Sequence, residues 1–224
     1  MRWWIEGQDE QGREKQRGIN SESNLIMATD KCKNCGSDVK NHNDSIMALS
    51  EDGYICLCLH CYNKEMSEAT GIDYDHIKLQ PVILQDADGV DHKFHFSIRL
   101  MGEELVLRSF ETEENRSGGY EFSMIGDIED GLFSLFSKLY ARMLKALSRK
   151  HIYLDENTKS WQITEDDIVR GNIICDSETG DWSGDPMIVI DGKGISWKEF
   201  GQMLMTYEGG NLKLQIFDNS DEMD

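Results

Sequence analysis

Two hydrophobic periods follow one another between residues 81 and 149, and together they predict the largest unit of the chain. Apolar and polar residues alternate along His92–Leu100, which is typical of a strand with one buried face. Three further β-prone runs are separated by turn-rich sequence: Pro81–Gln85, Leu105–Phe110 and Tyr120–Ile125. We therefore predict four consecutive antiparallel strands that share one buried face.

The period changes to that of a helix over Ile128–Arg149. In a helical projection the apolar side chains collect on one side: Leu132, Leu135, Phe136, Leu139, Tyr140, Met143 and Leu147. We predict an amphipathic helix that covers the buried face of the sheet. On the side opposite the apolar residues the sequence places a narrow basic stripe: Lys138, Arg142, Lys145 and Arg149.

This basic stripe is the one concentrated positive feature of the sequence, and three interpretations of it stay open. The first is a solvated helix face whose later charges suit the negative end of the helix dipole. The second is a contact with the acidic C-terminal third of the same chain. The third is a binding site for an acidic partner, which makes the four residues candidate partner-binding residues.

The last third of the chain predicts a small β-α-β unit. The sequence predicts strands over Asn172–Cys175 and Met187–Ile190, and a linking segment over residues 150–165. Ser196 and Glu199 have the spacing of a capping box, which predicts a helix that ends at Gly209-Gly210. Alternating residues over Leu212–Phe217 predict a closing strand.

The N-terminal residues have no apolar period and are predicted to form a disordered leader. Met27 is a natural start just before the cysteine-rich region, so we treat residues 1–26 as an extension. The predicted division of the chain is a leader at 1–29, a zinc ribbon at 30–71, the sheet and helix at 78–152, the C-terminal unit at 160–218 and an acidic tail at 219–224.

Charge limits the functions that this sequence suits. The chain has 23 Lys and Arg against 42 Asp and Glu, a formal net charge of −19. Most of the excess lies in the last third, where residues 151–224 carry 16 acidic and 5 basic side chains. A chain this acidic repels phosphate backbones, which disfavours non-specific binding of DNA or RNA.

Two Cys-x-x-Cys pairs organise the N-terminal third: Cys32 with Cys35, and Cys58 with Cys61. Each pair places two thiolates on one tight turn, and Gly36 supplies the permissive backbone that such a turn needs. The spacing is typical of four-cysteine zinc sites. Four thiolates close a tetrahedral shell and leave no position for water or substrate, so we predict a structural Zn²⁺ ion.

The alternatives for these cysteines concern redox state and ligand identity. Five of the six cysteines lie within thirty residues and no secretory signal precedes them, which favours a reducing cytoplasm over a disulfide framework. No run approaches the length of a membrane span. Cys56 is an alternative to Cys58 as a ligand; we prefer Cys58 because Cys56 lacks a turn partner.

The cysteine spacing and Gly36 resemble those of zinc ribbons and related treble-clef knuckles, over about residues 30–65. The resemblance implies a pair of rubredoxin-like knuckles on short hairpins. It implies no single function, because such ribbons bind nucleic acid, bind protein or hold a small domain together. The run Ile195–Gly209 resembles the C-terminal segment of uncharacterised bacterial zinc-ribbon proteins, which implies a bacterial origin and no activity.

No motif for catalysis is visible in the sequence. Walker loops, dinucleotide fingerprints and G-x-S-x-G elbows are missing, and Cys175 has no neighbouring motif that supplies a base. We therefore predict an α+β protein with a zinc-stabilised, non-enzymatic interaction or regulatory role and a protein partner. The alternatives are a nucleic-acid-associated protein that uses the basic stripe, and an enzyme whose site forms only in three dimensions. The sequence predicts no oligomeric state.

Overall fold

A computed structural model describes residues 30–39, 42–50, 53–111, 118–175 and 186–221. The predicted leader and the last three residues of the predicted acidic tail lie outside these ranges. Within them the protein has the predicted α+β fold, with antiparallel sheets and three α-helices. None of the described helices is long and apolar enough to cross a membrane.

The central sheet confirms the prediction of four consecutive antiparallel strands. Its strands pair in chain order: β5 (Val82–Gln85), β6 (Asp91–Met101), β7 (Glu104–Glu111) and β8 (Glu121–Asp127). The apolar face of α2 (Leu132–Leu147) covers it, as predicted. Phe94, Leu107, Leu139 and Met143 are fully buried between sheet and helix, so this layer is the main hydrophobic core.

The covering helix begins four residues later than predicted. Ile128–Asp130 form a separate 3₁₀ turn, and the side chain of Asp127 accepts a hydrogen bond of 2.8 Å from the backbone N–H of Glu129. Gly131 then adopts a φ of +81°, a left-handed conformation that an α-helix does not contain. Because of the capping carboxylate of Asp127 and the conformation of Gly131, the α-helix begins only at Leu132.

The N-terminal module consists of two small hairpins and a helix. Its elements are β1 (Asp30–Lys31) with β2 (Asp38–Val39), β3 (Ser45–Ser50) with β4 (Gly53–Cys58), and α1 (Leu59–Thr70). The helix has 12 residues and ends at Gly71, whose φ is +72°.

The C-terminal unit contains the predicted capping box and helix on an antiparallel sheet. Its elements are a hairpin of β9 (Ile152–Leu154) and β10 (Trp161–Ile163), a sheet of β11 (Gly171–Cys175), β12 (Pro186–Ile190) and β13 (Lys193–Ser196), and α3 (Trp197–Leu204). Ser196 and Glu199 cap α3 reciprocally, as predicted. The β9–β10 hairpin lies in the segment that the sequence analysis took for a link.

The predicted closing strand over Leu212–Phe217 is wrong. The segment has no regular secondary structure and pairs with no described strand. Leu212, Leu214 and Ile216 are each at least 70% exposed. Alternation alone predicted a strand here, but a strand also needs an edge to pair with, and the described fold brings none to this segment. The C-terminal unit is therefore β-α rather than β-α-β.

Candidate metal centre and basic pocket

The first cysteine pair lies on a tight turn between β1 and β2. The backbone N–H of Gly36 donates to the Cys32 carbonyl at 2.8 Å, and the Cys32 N–H donates to the Ser37 carbonyl at 2.9 Å. Gly36 has a φ of +71°, so a glycine suits the position, as the sequence analysis expected. The turn brings the Sγ atoms of Cys32 and Cys35 to one side.

The second pair lies at a strand–helix junction. Cys58 ends β4 and is the N-cap residue of α1, and Cys61 lies in the first turn of that helix. The resemblance implied knuckles on hairpins for both pairs, and here the second pair differs. A hydrogen bond of 2.9 Å from the Lys33 N–H to the Cys56 carbonyl joins the first turn to β4.

The fold brings together the four cysteines that the sequence analysis selected. The Sγ atoms of Cys32, Cys35, Cys58 and Cys61 all lie within 4.8 Å of one another. Four sulfurs at about 2.3 Å from a zinc ion lie about 3.8 Å apart, and the Sγ atoms of Cys35 and Cys58 are separated by 3.7 Å. The donor set and its dimensions therefore fit one tetrahedral metal ion.

Electrostatics at the four thiols favours a cation. Burial raises the pKa of Cys32, but hydrogen bonds from backbone N–H groups outweigh burial and lower it to about 6. The Ser37 hydroxyl and backbone lower the pKa of Cys35. Burial and the three neighbouring thiols raise the pKa of Cys61 well above its ordinary value. A bound divalent metal ion would offset the mutual repulsion of thiolates held this close together.

The other two cysteines stand apart from this cluster. All six cysteines are free of disulfides. Cys56 is two residues before Cys58 on β4 and is not a member of the four-sulfur group. Cys175 is exposed at the end of β11.

The helix that carries Cys61 is attached to the central sheet through a buried asparagine. Asn63 is fully buried, and its side-chain amide donates to the Ile98 carbonyl at 2.8 Å and accepts from the Leu100 N–H at 2.9 Å. Both backbone groups belong to β6, on a stretch where β5 no longer pairs with it. The amide thus takes the place of a neighbouring strand, and the metal-binding module and the sheet edge share one helix. No sequence pattern marked this residue.

The predicted basic stripe lies along α2, but not wholly on its outer face. Lys138, Lys145 and Arg149 are exposed, whereas Arg142 is half-buried. A guanidinium nitrogen of Arg142 donates to the Ser123 carbonyl of β8 at 3.0 Å and to the Ser220 carbonyl near the C-terminus at 3.3 Å. The prediction of a stripe opposite the apolar face is therefore wrong for Arg142, which lies at the border between helix and sheet.

Three residues of the stripe line a pocket between the middle and the C-terminal parts of the chain. Arg142, Lys145 and Arg149 lie on one wall, and Lys138 does not reach it. Arg170, immediately before β11, adds a fourth cation. No local sequence pattern indicates Arg170, because only the fold places it beside α2. The contacts that hold β11 there include a 3.0 Å hydrogen bond from the Asn172 side chain to the Glu121 carbonyl.

A buried charge cluster holds the end of α2 to the turn between β5 and β6. Lys150 and the Asp86 carboxylate form an ion pair, and the same carboxylate lies 3.0 Å from Nε2 of His92. Nδ1 of His92 lies 2.7 Å from Glu111. Burial raises the pKa of Asp86, but the bonds from Lys150 and His92 outweigh burial and hold it well below its ordinary value.

Comparison with known families matches three stretches of the chain, each to a domain of unknown function. Residues 31–73 match the Domain of unknown function (DUF7685), residues 75–148 match DUF7686 and residues 151–221 match DUF7713. No curated protein and no solved structure matches the chain. The chain is therefore similar, stretch by stretch, to three families whose descriptions state no activity.

Proposed function

We propose that this protein is a non-enzymatic interaction or regulatory protein whose N-terminal module is held together by a structural zinc ion. The observation that carries the proposal is the group of four sulfurs from Cys32, Cys35, Cys58 and Cys61, all within 4.8 Å of one another. Zinc suits this donor set because thiolates are soft ligands in a tetrahedral arrangement. Four protein ligands fill the shell, so the ion holds structure and activates no water. Thiolate ligands also suit a reducing cytoplasm.

The hairpin of β3 and β4 supports an interaction role. Leu49 and Tyr54 face each other across the hairpin and are 77% and 75% exposed, and Met47 beside them is 46% exposed. These three residues form an apolar surface on a module that the metal makes rigid. We propose that this surface docks on a protein partner.

The chemistry of the hairpin favours protein over nucleic acid as the partner. Residues 45–58 contain no Lys or Arg, and the sequence between the two strands is Glu51-Asp52. Binding to a phosphate backbone requires cations, which the sequence of this hairpin lacks. Exposed apolar side chains instead suit an apolar patch on a protein partner.

Metal analysis of the purified protein tests the first half of the proposal. We expect zinc in a one-to-one ratio with the chain, lost in a Cys58→Ala variant and retained in Cys56→Ala, which removes a cysteine of the same strand from outside the cluster. Protein without stoichiometric zinc, or equal loss of zinc from the two variants, contradicts the assignment of the ligands.

Co-purification from the native host tests the second half. We expect a partner that is retained by the natural sequence and lost when Leu49→Asp and Tyr54→Asp are introduced together. Phe133→Asp is the matched control, because Phe133 is 83% exposed on α2, away from the hairpin. A partner that survives the hairpin changes, or one that is lost equally in the control, refutes docking through this surface.

A nucleic-acid-associated role is the second candidate, and the exposed Lys145 and Arg149 on α2 are the observation that favours it. Binding to a polyanion weakens steeply as salt rises. We therefore expect salt-dependent binding of short DNA or RNA if this role is correct, and its loss in Arg142→Glu with Lys145→Glu. Binding that withstands this double charge reversal argues against the second candidate.

A further inference from the structure

The pocket beside the C-terminal end of α2 is large enough for a small molecule. Its volume is about 340 Å³, and it lies between α2, the start of β8 and the loop that joins β12 to β13. Ligand pockets in proteins occupy roughly 300–1,000 Å³. No residue of the four-cysteine module lines it, so the pocket is separate from the proposed metal centre.

One part of this pocket is basic, although the protein as a whole carries a net charge of −19. Four cationic side chains line it: Arg142, Lys145, Arg149 and Arg170. Lys145 and Arg149 make no ion pair with any residue in the described ranges. Cations concentrated in one lining repel one another, and an anion bound among them offsets that repulsion.

The two carboxylates of the lining are already bound to other groups. Glu121 forms an ion pair with Arg108. Asp191 accepts hydrogen bonds of 2.6 Å and 2.9 Å from the backbone N–H groups of His151 and Ile152. Both carboxylates therefore have partners of their own, and the four Lys and Arg side chains of the lining outnumber them.

The lining also includes the aromatic residues Tyr120 and Phe122, both of which are members of the main hydrophobic core. The rings of Tyr120 and Phe122 stack with an interplanar angle of 10° and a centroid separation of 6.0 Å. Gly192 packs against Tyr120, where a Cβ atom would lie 2.9 Å from the ring. The buried Tyr120 hydroxyl has no hydrogen-bond partner in the described structure, and burial raises its pKa, so it remains an O–H donor.

We propose that this pocket binds a small phosphate monoester with a planar body, with nucleoside 5′-monophosphates as the representative class. Lys145 and Arg149 bind the phosphate, and the planar body lies against the wall of Tyr120 and Phe122. A phosphate monoester carries about −1.5 to −2 charges at pH 7, which matches several cations better than one carboxylate does. A nucleic acid chain is disfavoured because the surrounding protein is strongly acidic.

Isothermal titration calorimetry of the zinc-loaded full chain tests this assignment. The probes are the monophosphates AMP, GMP, CMP and UMP, with adenosine as the uncharged counterpart of AMP. We expect at least one monophosphate to bind and, for AMP, adenosine to bind at least about tenfold more weakly, the scale of a charge-assisted hydrogen bond. Raising the salt concentration is expected to weaken monophosphate binding.

Three single substitutions on α2 identify the residues that hold the phosphate. Lys145→Gln and Arg149→Gln are each expected to weaken the binding monophosphate by about tenfold. Lys138→Gln removes an exposed charge from the same helix outside the pocket and is expected to leave affinity unchanged. All three positions are exposed, and circular dichroism checks that each variant is folded.

The same titrations supply the results that overturn the proposal. Absence of binding by all four monophosphates refutes it, and so does adenosine binding as tightly as AMP. If Lys138→Gln lowers the affinity as much as Lys145→Gln does, the monophosphate is attracted by the general positive field of the helix. That result also refutes a specific site. None of these outcomes depends on the hairpin partner, so the two proposals fail independently.

Discussion

Replacing Asn63 by alanine removes the attachment between the metal-binding helix and the edge of the central sheet. The side-chain amide makes two hydrogen bonds to β6, of 2.8 Å to the Ile98 carbonyl and 2.9 Å to the Leu100 N–H. The asparagine is fully buried, so water does not replace the lost bonds readily. Each buried group left without a partner costs roughly 1–3 kcal/mol. We expect Asn63→Ala to lower the free energy of unfolding by about 2–6 kcal/mol, the sum over both groups.

Urea denaturation measures this loss, and Asn63→Asp sharpens the interpretation. Aspartate keeps an oxygen that accepts from Leu100, but it places a second oxygen against the Ile98 carbonyl, where two acceptors repel. It also buries a negative charge, so we expect Asn63→Asp to be at least as destabilising as alanine. Asn211→Ala, at an exposed asparagine, is the control. An Asn63→Ala protein within about 0.5 kcal/mol of the control refutes the idea that the amide substitutes for a strand.

Three further predictions concern the metal, the buried charge cluster and a close backbone contact. Removing zinc with a chelator is expected to speed hydrogen exchange in β3, β4 and the Leu100 amide, because structural zinc provides folding energy; unchanged exchange contradicts a structural role. Because the pKa of Asp86 is depressed in the folded protein, its contribution to stability is complete above about pH 4 and is lost as the pH falls below that value. Asp86→Asn is expected to flatten this acid dependence in thermal melts, and a profile identical to the natural protein argues against the cluster. Gly192→Ala is expected to cost roughly 1–3 kcal/mol, because φ is +74° and the added Cβ meets Tyr120 at 2.9 Å. Gly201→Ala, in an open position on α3, is expected to gain roughly 0.5–1 kcal/mol; similar effects of the two changes contradict the close contact.

The four-cysteine cluster and the central sheet were predictable from the sequence because each depends on a local pattern. A Cys-x-x-Cys pair fixes two sulfurs on one turn. Only the contact between the two turns joins residues that are distant in the sequence. Strand alternation and helical period likewise specify which faces of the sheet and of α2 are buried. The boundaries were less certain, since α2 begins at Leu132 through the local capping by Asp127.

The remaining features depend on contacts between residues distant in sequence. The amide of Asn63 reaches a strand edge 35 residues later in the chain, and Arg170 joins the stripe of α2 only through docking of the C-terminal unit. Hydrophobic periodicity in the sequence does not indicate such long-range contacts. The opposite error occurred at Leu212–Phe217, where a segment with a good strand pattern pairs with none of the described strands. Local residue preference favours a strand, but a strand forms only where the tertiary structure brings another strand to pair with it.

The four-cysteine cluster and the attachment to β6 meet on one helix, because Cys61 and Asn63 are two residues apart on α1. If the cluster holds a metal ion as proposed, a metal-free chain lacks an anchor at the first turn of α1, and the Asn63 amide is then expected to lose its fixed position on β6. The uncovered strand would expose unpaired N–H and C=O groups, the kind of template on which neighbouring chains aggregate. We therefore expect metal binding to protect this strand edge in newly made protein.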